Sequence, residues 1–319
     1  LRGSVSDTAM REIMHVREAT LSAGAEYTGK LRAAPLSFKA GLGLDTLIPL
    51  KYWNEDNEFQ KLMDAGYYIV QTRLMRLYTW QAGIFYDITG DHEVRLTYAR
   101  KNHFPTMAQR YSTRFGSVLP NSNLGPEIAH HFELGWRGFF GEKVQVNAAG
   151  YYSIIRGKMS VIQLPDPNYP MAQVDYVRNL DSTSFYGFEA APEFFPNDYI
   201  SGGLAFSWNR YVINHSQAED KAIVYYPPVT LNAYMRIHPR FKNISIIPRF
   251  EYTGPRYADS PGTLELPGYS LFHLKISADI GSHVSLSAAM ENIFDTLYEI
   301  RRYSPQGGRA FSFTLEVRH

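Results

Sequence analysis

Hydrophobic and polar residues alternate with a period of two along most of this chain, and long polar segments interrupt the alternation. Residues 93–98 set Val94, Leu96 and Tyr98 against Glu93, Arg95 and Thr97. Residues 144–154 place Val144, Val146, Ala148, Tyr152 and Ile154 on one side and Gln145, Asn147 and Ser153 on the other. The same pattern runs through 199–208, 244–252, 272–280 and 311–318. A period of two is the repeat of an extended strand, whose successive side chains leave opposite faces. Further strands are predicted at about 14–29, 36–46, 77–88, 128–140, 184–195, 229–238 and 284–294, which makes about thirteen.

The connections between these strands come in two sizes. Short turns near 89–92, 141–143, 196–198, 239–242 and 281–283 carry Gly, Asn, Asp and Pro, the residues that turn geometry selects. Long connections fall near 47–76, 103–127, 158–183, 211–228, 255–268 and 295–307, and from residue 30 onward long and short alternate. Consecutive hairpins of an up-and-down meander place odd and even connections at opposite ends. The expected fold is therefore all-β: an antiparallel up-and-down transmembrane β-barrel with short turns at one rim and long loops at the other. Loops of about 15 to 30 residues would be out of place in a compact soluble domain.

The two faces of the strands fit that architecture. Arg249, Glu251, Lys275, Asp279, Glu316 and Arg318 occupy the polar side of otherwise apolar strands, as residues lining a wet lumen would. Aromatic pairs near strand ends (Phe139 and Phe140, Tyr151 and Tyr152, Phe194 and Phe195, Tyr225 and Tyr226) suit interfacial girdles, although pleated sheets favour aromatics in any case.

Composition removes several function classes. The net charge is +1 with no clustered basic stripe, so no nucleic-acid partner is expected. Cysteine is absent, which excludes disulfides and thiolate metal sites. No apolar run is long enough for a transmembrane helix. The mean hydropathy of −0.29 does not argue for solubility, because half of each barrel strand faces water. Residues 1–12 carry charges and no apolar segment of a signal peptide. Nucleophile-elbow, zinc-protease and phosphate-loop motifs are missing, so neither an enzyme nor a cofactor is expected. His130 and His131 are neighbours on a strand, point to opposite faces and cannot chelate together, and no metal or haem site is expected there or at His103.

Three motifs remain. Residues 98–137 run from Tyr-Ala-Arg-Lys through Phe104-Pro105-Thr106 and Arg110-Tyr111 to Pro120-Asn121, Leu124, Pro126-Glu127 and a Phe-Glu-Leu-Gly strand. Tyr186-Gly187-Phe188-Glu189 follows Asn179-Leu180-Asp181. Glu291-Asn292-Ile293-Phe294-Asp295-Thr296-Leu297-Tyr298 precedes Gly308-Arg309-Ala310-Phe311. Pro105 forces Phe104 into extended backbone. Asn123, Leu124 and Pro126 supply turn chemistry that re-aims the chain at Glu127. Asn292 and Asp295 can bond to nearby backbone beside Phe294. A structural role is expected for all of these, and for Tyr186, Gly187 and Glu189.

In this order and spacing the motifs resemble those of TonB-dependent outer-membrane receptors. The resemblance implies a Gram-negative outer membrane and a barrel of about 22 strands with an N-terminal plug and a TonB box. Residues 1–319 are then one unit, the C-terminal portion of that barrel, from roughly its tenth strand to its last. It implies a receptor that binds scarce small-molecule cargo, a ferric siderophore or similar, at its outer loops. Import would draw on the TonB complex acting through the plug, with outer-membrane lipid and lipopolysaccharide as further partners. Arg110, Tyr111 and Arg114 in one loop and Arg301, Arg302 and Tyr303 in another are candidate cargo contacts, because guanidinium groups suit anionic oxygens. Arginines at a rim serve lipopolysaccharide phosphates equally well. The other reading is a passive porin or adhesin-like barrel. One departure is His319, which follows Arg318 where barrels of this kind usually end in an aromatic residue.

Overall fold

Backbone pairing in chain order is what organises this molecule. The computed structural model describes residues 14–54, 74–111, 118–165, 171, 173–214, 221–239 and 243–317. Its elements are β1 (Met14–Lys30), β2 (Leu36–Asn54), β3 (Met75–Asp87), β4 (His92–His103), a short helix (Met107–Tyr111), β5 (Val118–Leu119), β6 (Glu127–Phe140), β7 (Val144–Pro165), β8 (Gln173–Asn197) and β9 (Ile200–Asn214). There follow β10 (Val229–Ile237), β11 (Ile244–Thr253), β12 (Arg256–Tyr257), β13 (Glu265–Leu266), β14 (Tyr269–Ile280), β15 (Val284–Glu291), β16 (Glu299–Arg301), β17 (Ser304–Pro305) and β18 (Ala310–Val317). One sheet takes thirteen of them in the order β1-β2-β3-β4-β6-β7-β8-β9-β10-β11-β14-β15-β18, every neighbour antiparallel. β5 joins parallel to β8, and β12–β13 and β16–β17 form two small hairpins. Among the described residues β1 and β18 are not paired with each other.

Register converts the alternation into two continuous surfaces. One row across the wall reads Ile84, Leu96, Leu134, Gly150, Phe188, Trp208, Val229, and the next reads Gly83, Thr97, Glu133, Tyr151, Gly187, Asn209. The apolar surface is open: Leu96, Leu134 and Phe313 are 56%, 59% and 82% exposed. Large aliphatic and aromatic side chains covering one whole face of a sheet, without protein over them, are the outer surface of a membrane barrel. On the polar surface opposite charges pair across strands, Lys39 with Glu26 and Arg95 with Glu133, both at 3.0 Å. The wall has no room for a core of its own. Buried side chains such as Leu124, Val174, Leu180, Ala222 and Leu266 gather where the long connections fold together.

Short turns close one end of the sheet, between β1 and β2, β3 and β4, β6 and β7, β8 and β9, β10 and β11, and β14 and β15. At 141–143 the reversal is made by Gly141 in the left-handed region (φ 60), a conformation that costs a residue with a Cβ. The long connections and both small hairpins lie at the other end.

Two expected connections differ from what forms. Residues 158–165 and 173–183 are not loop: β7 and β8 stay paired up to Pro165 opposite Gln173, a hairpin that rises well past its neighbours. Residues 47–54 likewise continue β2, paired with β1 as far as Asn54 opposite Met14. Above the lipid a strand no longer needs an apolar face, so its pattern fades while its hydrogen bonds persist. In the other direction, the strand expected over 284–294 stops at Glu291, because Asn292 and Asp295 take positive φ (49 and 54). The parts of the expected connections at 55–73, 112–117, 166–170, 172, 215–220 and 240–242, with residues 1–13, Arg114, Arg318 and His319, lie outside the described residues.

The outward surface predicts its own test. Replacing Leu134 by Arg should destabilise the folded barrel by about 2–4 kcal/mol, whereas Ser287→Arg on the opposite face should cost under about 1 kcal/mol. Denaturant titration of the protein folded in lipid bilayers measures both.

Candidate functional site

The helix after β4, β5, the tall hairpin of β7 and β8, and the connections around residues 224, 258–263 and 301 enclose a hollow of about 770 Å³. Its walls include Gln109, Ser160, Gln163, Gln173, Asp175, Arg178, Tyr225, Asp259, Ser260, Thr263 and Arg301. A second hollow, of about 520 Å³, is lined by residues of β1 to β4 alone, where Gly24, Gly41 and Gly43 leave the sheet thin. Only the first is walled by connections, and only it collects side chains from distant parts of the chain.

The connection after β4 is held over the wall by a dense set of local bonds. Asn179 Oδ1 accepts the Gly125 N–H (2.8 Å), while its Nδ2 donates to the carbonyls of Gly125 (3.0 Å) and Gly157 (2.7 Å). Asn121 Nδ2 donates to the Val177 carbonyl at 2.8 Å. Glu127 Oε1 accepts from the Met159 N–H (2.6 Å) and from Lys158 Nζ (2.9 Å). Gly157 sits at φ 66, and a Cβ there would stand 2.9 Å from the Pro126 carbonyl oxygen, so only glycine admits this approach. Leu124 is sealed beneath, with no exposed surface.

The short helix begins with a reciprocal cap. The Gln109 N–H donates to Thr106 Oγ1 (3.2 Å), and the Thr106 N–H donates to Gln109 Oε1 (2.8 Å). Its far end is fixed by Arg110, whose Nη2 donates to Glu18 Oε2 on β1 at 2.5 Å, with side chains only 1% and 7% exposed. Arg110, expected among the cargo contacts, has its guanidinium bonded to Glu18 and shut away from solvent. Tyr111 is buried beside it, and its hydroxyl accepts from Arg110 Nη1 at 3.2 Å.

The other predicted residues separate by position. Arg301 lines the hollow with its guanidinium 5.8 Å from the centre of the Tyr225 ring. Tyr225 is itself fixed by its N–H donating to the Tyr257 carbonyl (2.7 Å) and by Tyr226, which packs on Phe185 and Tyr211. Burial, and then its hydrogen bond to Tyr151, push the Tyr226 phenol far above the usual tyrosine range, so it stays neutral. Arg302 stacks on Tyr303, 4.6 Å from the ring centre, on an exposed tip outside the hollow. Phe104 is half-buried and Pro105 buried at the strand exit, and Asn123 and Pro126 flank Leu124 in the tethered segment. Tyr186 faces outward against Trp208, and Gly187 lets the Tyr151 ring lie over it so that its hydroxyl donates to Asn209 Oδ1. Glu189 is exposed on the polar surface. Asn292 closes a turn, accepting from the Thr296 N–H and donating to its carbonyl, both at 2.9 Å, while Asp295 Oδ1 accepts the Arg309 N–H at 2.7 Å. Phe294 packs edge-on against Phe272.

His130 and His131 do lie on opposite faces, the first bonded to Tyr98 and the second to Ser153. Among the described residues no group of His, Asp or Glu is placed to hold a metal. What the hollow offers instead is two guanidiniums, amides, hydroxyls and a carboxylate at Asp175. The second carboxylate, Asp259, is already engaged. Burial acts to raise its pKa, but the Thr263 hydroxyl and the N–H groups of Thr263 and Leu264 outweigh that and hold it below the ordinary range. The sequence reading missed the hollow's main wall, residues 159–164 and 173–178, although Val161, Ile162, Leu164, Val174, Tyr176 and Val177 are strand-forming residues.

Comparison with known proteins places this geometry. A family model described as TonB dependent receptor-like, beta-barrel matches residues 32–293. The copper transporter OprC superposes with a TM-score of 0.74 at 17% identity, over 94% of this chain and 48% of that chain. The ferric-catecholate import receptor Fiu from K12 E. coli, in its closed form, gives 0.70 at 17% identity, over 95% and 45%. BauA, the ferric preacinetobactin receptor from Acinetobacter baumannii, gives 0.70 at 14% identity, over 96% and 44%. The chain spans about half the length of these structures.

Two outcomes follow from the bonding. Asn179→Ala removes three hydrogen bonds and should cost roughly 2–3 kcal/mol, read as faster proteolysis within 104–126 while the sheet stays folded. For Asp259 the folded pKa is depressed, so its bonds add stability above its unfolded pKa and lose it as pH falls through the folded one. Protection of the Thr263 and Leu264 amides, as exchange relative to the intrinsic rate at the same pH, should therefore be flat across neutral pH and fall only in acid, and Asp259→Asn should remove that acid step.

Proposed function

The chain belongs to the TonB-dependent receptor family of Gram-negative outer-membrane β-barrels, and from that premise we propose that it is the C-terminal portion of an active importer. The thirteen-strand meander would then be part of a wall of about 22 strands, with the long connections facing the cell exterior. Cargo binds in the hollow beneath them, and the TonB complex, acting through a plug, supplies the energy for import. The family transports rather than catalyses, and nothing in this reading needs covalent chemistry.

The observation that carries the proposal is the walled hollow with Arg178 and Arg301 on its lining. Guanidiniums beside an aromatic ring, amides and hydroxyls suit a compact anionic molecule rich in oxygen acceptors. A ferric siderophore has that chemistry. Its outer oxygens would accept from Arg301, and its flat apolar parts would lie against Tyr225.

Titration of the purified receptor with ferric siderophores, cobalamin and oligosaccharides, followed by tryptophan fluorescence, tests the cargo class. Arg301→Ala should weaken binding of the best siderophore about tenfold. A variant that binds every candidate as the parent does would remove the hollow from the reading. Uptake by cells should also stop when the proton gradient is collapsed, and uptake that continues would favour the porin.

A further inference from the structure

Two consecutive residues of β12 hold both members of the ring and guanidinium pair that lines the hollow. The Tyr257 carbonyl accepts the Tyr225 N–H at 2.7 Å. Arg256 reaches to a different connection, where its Nη2 donates to the carbonyls of Glu299 and Ile300, the second at 3.2 Å. The Ile300 carbonyl shares a rigid peptide plane with the Arg301 N–H, so gripping one fixes the other. The β12–β13 segment is a firm base for both bonds. Its Ser260 carbonyl accepts the N–H groups of Lys221 (2.9 Å) and Ala222 (2.8 Å), and its own turn is closed by Asp259 on Thr263 and Leu264. The β16–β17 hairpin has no such base of its own. Ile300, Arg301, Arg302 and Tyr303 are all exposed, and its pairing is irregular between Glu299 and Arg301.

Arg256 is only 4% exposed. Its guanidinium stands 5.4 Å from the centre of the Tyr269 ring, which packs on Tyr298 at 4.5 Å. Among the described residues no carboxylate pairs with it, and its Nη1 is buried without a hydrogen-bond partner. A guanidinium buried in that state costs stability, and an apolar side chain of similar bulk would fill the space at less cost. What an apolar side chain cannot do is hold the backbone ahead of Arg301. Tyr225 carries a second cost. Its backbone is left-handed (φ 59), a region that residues with a Cβ rarely enter, and such strain persists only where the surroundings over-determine it. Both costs are borne where the Arg301 guanidinium is brought to 5.8 Å from the Tyr225 ring centre.

We propose that Arg256 is a positioning residue that sets the charge selectivity of the hollow through Arg301. The proposal rests on the hollow being the cargo site and adds the residue that tunes it. A guanidinium on an exposed hairpin must be ordered before it can favour an anion, and that ordering subtracts from affinity unless the fold has already done it. With Arg256 in place, the peptide ahead of Arg301 is fixed to the segment that also fixes Tyr225. Ring and charge then meet the cargo as a preformed pair. Without Arg256 the hairpin is released and Arg301 leaves the ring. The other walls, built on β7 and β8, keep their shape, so the hollow loses its preference for charge and not its capacity to bind.

The test uses the full-length receptor in mild detergent and two ferric chelates of similar size, an anionic tris-catecholate and an uncharged tris-hydroxamate, with Kd measured for each. The parent should favour the anionic chelate. Arg256→Met should cut that preference about tenfold by weakening the anionic chelate alone, and Arg256→Lys, which keeps a donor but not the fork, should show a smaller loss of the same kind. In an Arg301→Ala background neither substitution should alter either Kd, because the group they position is gone. The lysine variant keeps the buried charge and carries the test if Arg256→Met folds poorly. An equal loss for both chelates, no loss in a folded variant, or the same loss with and without Arg301 would overturn the proposal and leave Arg256 a role in stability alone. Failure of the cargo reading looks different: the parent binds neither chelate, or Arg301→Ala binds both as the parent does, and either result overturns the proposal together with the reading beneath it.

Discussion

A peptide N–H or carbonyl placed in hydrocarbon finds no water, so its partner must be another strand. In this chain that requirement is met by pairing each strand with the next, and the ladder continues through thirteen strands from β1 to β18. Pairing fixes register, and register fixes faces: a slip of one residue would send Glu133 and Arg95 into lipid and Leu134 and Leu96 into the lumen. The near-neutral charge of the whole chain therefore hides a strong partition. Acids sit inside with lysines and arginines, Lys39 against Glu26 and Arg95 against Glu133, while the outward face keeps apolar groups and a few arginines.

Beyond the membrane the constraint relaxes and different physics takes over. The tall hairpin of β7 and β8 keeps its backbone bonds but becomes a wall for other segments to lean on. Asn179 and Glu127 cost little to place there, because each satisfies backbone groups that would otherwise be buried without partners. Arg110 and Glu18 are a different case. Burying both charges is expensive, and the pair gains its worth from position rather than from net stability. It joins the connection after β4 to the first strand of the sheet and so fixes where Gln109, a wall of the hollow, must stand. Arg256 does similar work across another pair of connections, donating to the carbonyls of Glu299 and Ile300 just before Arg301.

These two regimes explain what could be read from the chain alone. Where lipid presses on one face, alternation is strict, and the strands over 128–140 and 244–252 are legible almost to the residue. Where lipid ends, at 47–54, 158–165 and 173–183, the same hydrogen-bonded strands carry mixed patterns and pass for loops. The turn at Asn292 was legible as chemistry but not as a boundary, since Ile293 and Phe294 continue the apolar pattern after the backbone has turned. Arg110 was beyond local reading altogether. Its partner lies 92 residues earlier, and an arginine in a polar loop looks the same in sequence whether it faces solvent or a buried carboxylate. Arg301 was legible as a loop cation, but its role depends on Tyr225, brought beside it only by the folding of two connections.

Arginine thus appears in three settings, and surroundings rather than residue type assign the work. At Arg110 and Arg256 the five donors of the guanidinium let one side chain grip several acceptors in a dry place, and the fold uses it as a fastener. At Arg301 the same group is open to a hollow, with a ring beside it and no carboxylate bond of its own among those described. At Arg100, Arg156 and Arg210 it stands outside the wall above a belt of rings, where acids are excluded by the register. A carboxylate in any of the outward rows would neutralise the face, yet the alternation that keeps Glu133 and Glu189 inward also keeps them from doing so. The outward positive charge is therefore a consequence of the same pairing that builds the wall.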